Sequence, residues 1–448
     1  MNRKPMKPLL IYNGHIIDPA HRVDEIGSLL LREGKVVWRG KAKEAPPCPD
    51  YAILDAEGLV VCPGFIDLHC HLRQPGEEEK ETIATGTQAA ARGGFTTVCC
   101  MPNTKPPLDS KAMIDYVKSV AVTEGVARVL PIGCVTRGRR GEELADLAEM
   151  ALAGVIGFSD DGAPVSSAEI MRQALKQSRA LGLPVINHCE DVALSKGGQM
   201  NEGKVAAKIG LKGILAEAEE RMVARDLALL EEVPGARLHI AHVSTKGSVE
   251  LIRKAKEKGL KFTAEVTPHH LTLTEERVVG YNTNAKVNPP LRTEEDIKAL
   301  IQGLKDDVID IIATDHAPHS EADKRKEFTL APCGISVFET ALGSLMTLVH
   351  HGELSLNTLI AKMTCEPAKI LGGRYGKLGT LEVGASADVT IFDPEKEWAV
   401  NSKAFASKGR NTPLAGERLV GKVMATLYDG KLVYKDDAVR LEEKALAR

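Results

Sequence analysis

Two histidines, His69 and His71, stand two apart in the apolar run VVCPGFIDLHCH. On an extended strand this spacing aims both imidazoles at one side and turns Cys70 to the other, which makes them a candidate ligand pair for a metal ion. Such pairs also arise by chance on surface strands. Here further donors of the same kind follow: Asp160 and Asp161 in GFSDD, His188 in INHCE, His242 in IAHVS and Asp315 in ATDHAPH. Imidazoles and carboxylates without a thiolate cluster suit zinc or a similar divalent ion with an open coordination position. Four histidines and two carboxylates are enough for two ions. A pair of ions would activate a water molecule and polarise a carbonyl at the same time, the equipment for hydrolysing or closing an amide. A carboxylate not wholly committed to metal could then move the proton. Adjacent strand residues point to opposite faces, so Asp160 and Asp161 compete for one place in such a site.

These donors need elements that bring them together. Between residues 60 and 318 a short β-rich apolar run recurs eight times, each followed by a turn and a helix-like segment. The runs end at His71, Asn103, Val135, Asp161, Glu190, Ser244, His270 and His319. Parallel strands joined by helical crossovers read this way, and eight of them predict a closed α/β barrel whose carboxyl-end rim gathers the strand-end residues. The spacing of Ile170, Met171, Ala174, Leu175 and Ser178 predicts a helix over 167–181, stopped by Gly182. Residues 217–232 are similarly amphipathic, and Thr-Glu-Glu-Asp at 293–296 opens a further helix to Leu304 with a capping-box pattern. The flanks, 8–61 and 378–434, alternate strand and turn with little helix, which predicts one composite β-sandwich made from both ends of the chain. The expected division is 1–61 and 372–448 for the two halves of that module and 62–371 for the barrel.

Composition excludes several classes. The chain has 448 residues, 43% hydrophobic and 27% charged, which is globular and neither disordered nor fibrous. Lys plus Arg number 58 against 61 Asp plus Glu, a net charge of −3 with no long one-signed run, so nucleic acid is not an expected partner. No apolar stretch approaches the roughly 18 residues of a membrane span and no secretory core follows the first residues, so the expected location is the cytoplasm. Nine scattered cysteines without a C-x-x-C pair, Cys48 among them, read as reduced, buried thiols, with Cys189 beside His188 the one to watch for reactivity.

The segments GFIDLHCHLRQPG, MPNTKPPLDS, FSDDG, INHCED, AHVS and ATDHAPH resemble the amidohydrolase superfamily, and within it dihydroorotases of the bacterial class I type. The resemblance spans nearly the whole chain, since LLIYNGHIIDP and GTLEVGASADVTIFD are similar to the superfamily's N- and C-terminal strand segments. It implies a TIM-like (β/α)8 barrel and two zinc ions per chain. His69, His71 and Asp315 would hold one ion and His188 and His242 the other, with Asp161 bridging and Asp160 left outside. It also implies the reversible cyclisation of N-carbamoyl-L-aspartate to L-dihydroorotate in pyrimidine (UMP) biosynthesis, by metal-activated hydroxide with Asp315 as proton shuttle.

The substrate's free carboxylate calls for a fork-shaped cation. Arg73, two residues past His71, fits that role, assisted by Asn103. The resemblance adds contacts from His71, Asn288 and His319 and from the backbone at Cys333 and Gly334. His269, His270 and His316 read as supporting or packing groups beside the site, and His15, His21, His239, His350 and His351 as structural or exposed. Hydantoinases and allantoinases are the nearest alternative, but many bridge their metals with a carboxylated lysine late in the fourth strand. No lysine occurs between Lys118 and Lys176. A non-catalytic scaffold for aspartate transcarbamoylase is a second alternative, disfavoured because all six ligands are kept. Association with that enzyme or with further copies of the chain stays open. The polar segment 320–329 reads as a lid over the substrate.

Overall fold

The computed structural model describes residues 7–46 and 51–443. Seven parallel strands follow one another around a barrel: Phe65–Cys70, Phe95–Cys100, Arg128–Pro131, Val185–Asn187, Leu238–Ile240, Thr263–Val266 and Ile311–Ile312. The eighth position is held by Phe158, which bridges Gly133 on one side and Val185 on the other. A parallel bridge from Cys70 to His316 closes the ring. Every one of the eight expected runs therefore contributes, but the strands are shorter than the runs. The fourth shrinks to one bridging residue, since the flanking Pro131 and Pro184 accept from Ile156 and Phe158 but have no N–H with which to extend the ladder. Barrel strands end one to three residues before most of the candidate ligands, which sit on the loops just beyond.

The first strand carries the most consequential irregularity. Its ladder pairs Asp67 with Val98 and Cys70 with Cys100, so Leu68 and His69 together oppose the single residue Cys99. Such a bulge re-aims side chains without ending the strand. Leu68 joins the apolar cluster of Ile66, Cys99, Ile132, Ile186 and Ile311, while His69 turns to the ligand group.

Helices cover the barrel as the periodicity predicts. Ser167 caps Ala168–Leu181 by accepting from the Ile170 N–H, and Gly182 ends it in the left-handed region at φ 66°. Glu217–Glu232 and Glu294–Lys305 form the other two expected helices, the latter with the Thr293–Asp296 capping box. Both ends of the chain build one nine-stranded sheet around its own apolar core. Its N- and C-terminal parts meet where Val60–Pro63 pairs antiparallel with Val389–Ala399. The sheet is tied to the barrel by Arg128 on Asp388 at 2.7 Å and by Thr426 Oγ1 donating to Ala91 O at 2.7 Å.

Of the eight described cysteines all are free, and seven are buried as expected. Cys333 is a correction: it is exposed, because it sits on a loop beyond the rim and not in a strand. Cys48 lies outside the described residues. Among the described residues no helix is long and apolar enough to cross a membrane.

Phe158 is fully buried and its backbone carries the fourth position alone. Replacing it by Ala should cost about 3–5 kcal/mol, read as a fall in the urea midpoint; a loss below about 1 kcal/mol would show that the barrel closes without it.

Candidate metal centre and substrate cavity

The Asp161 carboxylate faces all four candidate imidazoles. His242 Nε2 lies 3.3 Å away, His69 Nε2 and His71 Nε2 3.5 Å, and His188 Nδ1 3.7 Å. Two ligand groups share it: His69, His71 and Asp161, and Asp161, His188 and His242, all buried. Asp315 completes the cluster from the eighth strand, at 2.9 Å from His71 Nε2 and 3.5 Å from His69 Nε2. Asp160 points elsewhere, accepting from Val135 N at 2.9 Å, from Thr136 N at 3.1 Å and from the Thr136 hydroxyl. All six expected ligands thus converge, drawn from five strands.

The donor set fits divalent ions. His69 Nε2 is buried without a hydrogen-bond partner, and His188 Nδ1 and His242 Nε2 face one another at 2.8 Å, an approach that needs a proton or cation between them. Carboxylates behind the rings fix which nitrogen is free. Glu265 accepts from His69 Nδ1 at 2.5 Å and from His239 Nε2 at 2.9 Å, and Glu190 accepts from His188 Nε2 at 2.9 Å. Asn103 Oδ1 does the same for His71 Nδ1 at 2.9 Å. Each bond leaves the other ring nitrogen as a lone pair aimed inward.

Charge is balanced accordingly. Burial opposes ionisation of Asp161, but His69 and the other imidazoles hold its carboxyl well below the usual carboxylate range. Burial likewise works against Glu265 and Glu190, yet their histidine partners bring both down to about 2. His69, though buried, is held well above the usual imidazole value by Asp161, Glu265 and Asp315. Asp161, Asp315, Glu190 and Glu265 thus gather four carboxylates around the imidazoles, a negative charge that two divalent cations would balance. His242 and Asp315 hold positive φ, 33° and 45°, and so does Arg73 at 60°; strain of this kind collects at working sites.

A cavity of about 280 Å³ opens over the cluster. Arg73, Asn103, Asn288, His319, Cys333 and Gly334, the expected substrate contacts, all line it beside His71, Asp161 and Asp315. Arg73 is buried, its Nε donates to Pro318 O at 3.2 Å, and among the described residues no carboxylate pairs with it. The lid expectation meets a packed segment. Lys324 Nζ donates to Pro332 O at 2.8 Å and to Thr283 O at 3.0 Å, and Phe328 is buried, which leaves only residues 325–327 exposed between those anchors. Cys189 is buried, and burial and then Asp226 push its thiol well up.

Sequence reasoning missed Glu265, Glu190 and Arg139. Glu265 carried a signal, a lone acid inside the apolar run KFTAEV. Arg139 carried none: its guanidinium braces the backbone carbonyls of Asp160 at 3.0 Å and Asp161 at 2.6 Å across a loop. His239 is buried against Thr263 and Glu265. His270 is fixed by Thr267 and Pro289 O, and His316 stacks on Phe338 with its Nδ1 accepting from Val337 N.

A closed parallel barrel with imidazoles and carboxylates converging on its carboxyl-end rim is the arrangement of a metal-dependent barrel enzyme. The Amidohydrolase family matches residues 234–434, and the Dihydro-orotase-like family residues 58–248. Dihydroorotases of Thermoanaerobacter sp. (strain X514) and Caldanaerobacter subterraneus are 54% and 51% identical, covering 96% and 95% of this chain and 98% and 97% of their own. Among solved structures, the L-hydantoinase of Arthrobacter aurescens superposes with a TM-score of 0.85 at 27% identity, covering 98% of each chain. The chain belongs to the dihydroorotase family.

Removing the Glu265 charge with E265Q should weaken divalent-metal affinity by about 10- to 100-fold while the fold survives. Competition with a chromogenic chelator measures it, and parental affinity would show that Glu265 does not tune His69.

Proposed function

We propose that this chain is a zinc-dependent dihydroorotase that closes N-carbamoyl-L-aspartate to L-dihydroorotate in cytoplasmic pyrimidine biosynthesis and runs the step in reverse as an amide hydrolysis. The observation that supports it most is the Asp161 carboxylate within 3.7 Å of four imidazoles, beneath a cavity holding the buried Arg73 guanidinium, which no carboxylate among the described residues pairs with. His69, His71 and Asp315 would hold one ion, His188 and His242 the other, and Asp161 both. When bound, the ions supply Lewis acidity toward a carbonyl oxygen and lower the pKa of water.

The remaining steps fall to the chain's own groups. Arg73 binds the carboxylate that stays free, as a bidentate pair, with Asn103 beside it. Asn288, His319 and the backbone at Cys333 and Gly334 orient the ring atoms, and the buried walls exclude bulk water. In closure the ureido nitrogen bonds to the carbon of the side-chain carboxylate, Asp315 takes the nitrogen's proton and passes it to the departing oxygen, and that oxygen leaves as water with a second proton taken from solution. Hydrolysis reverses each transfer, with Asp315 protonating the departing nitrogen.

In this reading the barrel, residues 62–371, performs the chemistry and segments 1–61 and 372–448 form the supporting β module. The solved neighbours include hydantoinases, whose ring substrates carry no such acid group; Arg73 favours the anionic ring. Metal analysis together with turnover of dihydroorotate and of hydantoin tests the proposal: zinc-dependent turnover of dihydroorotate is expected. Preference for hydantoin, or no metal and no turnover after zinc addition, would overturn it. Sedimentation of the chain alone and with aspartate transcarbamoylase tests self-association and that partnership.

R73Q should raise KM for dihydroorotate by about 30- to 100-fold, the loss of a charge-assisted pair worth about 2–3 kcal/mol, and move kcat little; an unchanged KM would remove Arg73 from the carboxylate. Closure turns one of two carboxylates into a ring carbonyl and consumes a proton, so falling pH favours it. The equilibrium ratio of dihydroorotate to open chain should rise about tenfold per pH unit between pH 8 and 6, followed by ultraviolet absorbance or chromatography, and a flat ratio would contradict this chemistry.

A further inference from the structure

The segment between the C-terminal strands Val389–Ala399 and Arg418–Tyr428 leaves the β module and crosses the barrel rim. It is anchored first on two buried carboxylates. Glu339 accepts from Ala406 N at 2.8 Å, and Glu81 accepts from Lys408 N at 3.2 Å and from the Ser407 hydroxyl. Its far end is Asn411, only 3% exposed.

The Asn411 amide uses its whole hydrogen-bonding capacity on the loops that carry the substrate contacts. Its Oδ1 accepts from His319 N at 3.0 Å and from Ser336 Oγ at 2.8 Å. Its Nδ2 donates to Ala317 O at 3.1 Å and to Gly334 O at 2.9 Å. Between them these bonds hold the backbone before and at His319, whose Nε2 donates to Cys333 O at 2.8 Å, and the backbone at Gly334. Arg73 leans on the same loop through Pro318 O. Gly409 lets the strap lie flat: a Cβ there would stand 2.3 Å from Pro318 Cβ and 2.6 Å from Ser336 Oγ.

We propose that Asn411, delivered by the C-terminal β module, is a positioning residue for substrate recognition, setting the spacing between the His319 loop and the Cys333–Gly334 loop. A side-chain amide is the group that can donate to two carbonyls while accepting from two donors. Aspartate has the same shape but no N–H, so it would set an anion against the Ala317 and Gly334 carbonyls. The ligand cluster lies on other bonds, so the effect falls on binding the ring and not on holding metal. The inference rests on the dihydroorotase reading for the identity of the substrate, not for the geometry of the strap.

The test compares the parent, N411D and the independent strap variant G409A as metal-loaded full-length protein. Both variants should raise KM for dihydroorotate at least tenfold, change kcat less than threefold and retain parental metal content. Amide hydrogen exchange over 317–319 and 333–336 should speed up in both. KM within twofold of the parent in a folded variant, or loss of metal along with kcat, overturns the assignment. Should N411D fail to fold, G409A decides by the same criteria. If the parent itself does not turn over dihydroorotate, the functional reading has failed, and unchanged exchange over both loops is then the result that overturns the strap.

Discussion

The arrangement turns on one carboxylate surrounded by four imidazoles. Asp161 and its histidines are all buried, and taking such groups out of water is costly unless each finds a partner. The protein meets that demand from behind: Glu265, Glu190 and Asn103 each take one ring N–H, leaving the opposite nitrogens turned toward Asp161 and Asp315. What remains in the middle is a shell of lone pairs and negative charge that only cations or protons can satisfy. The orphaned His69 Nε2 is the plainest sign of it.

That shell constrains the backbone around it. His69 reaches the centre through a bulge that also lets Leu68 fill the barrel interior, and His242 and Asp315 reach it from loop residues with positive φ. The strands therefore stop short, and the residues just past them adopt strained conformations which the bridges and the packed lumen below hold in place. Rigidity comes from the barrel, and the aim of each ligand from the first few residues beyond it.

The residues lining the cavity over the cluster are assembled differently. Arg73 comes from the first strand's loop, Asn288 from the connection between the seventh and eighth strands, and His319, Cys333 and Gly334 from beyond the eighth strand. The last two of these loops are joined directly by His319 Nε2 on Cys333 O and Ala317 N on Ile335 O, and from outside by Asn411, 92 positions past His319 and 77 past Gly334. The flanking sheet is thus coupled to the cavity through a strap as well as through its contacts with the barrel wall.

By itself the sequence determined the barrel with its eight units, the helices with their caps, the shared origin of the flanking sheet and the six residues that converge. Most of these follow from local periodicity, capping chemistry and a strand-end rule that needs no knowledge of neighbours; the choice of Asp161 over Asp160 came from the family resemblance. Only the tertiary structure decided that the fourth strand is a single residue bridging Gly133 and Val185, that His69 sits on a bulge, and that Cys333 is exposed. It alone decided that segment 320–329 is pinned by Lys324 and Phe328, and that Glu265, Arg139 and Asn411 support the site. Those features depend on which backbone groups and side chains meet across tens to hundreds of residues, and a hydrogen bond made at such separation leaves no periodic trace in the chain that makes it.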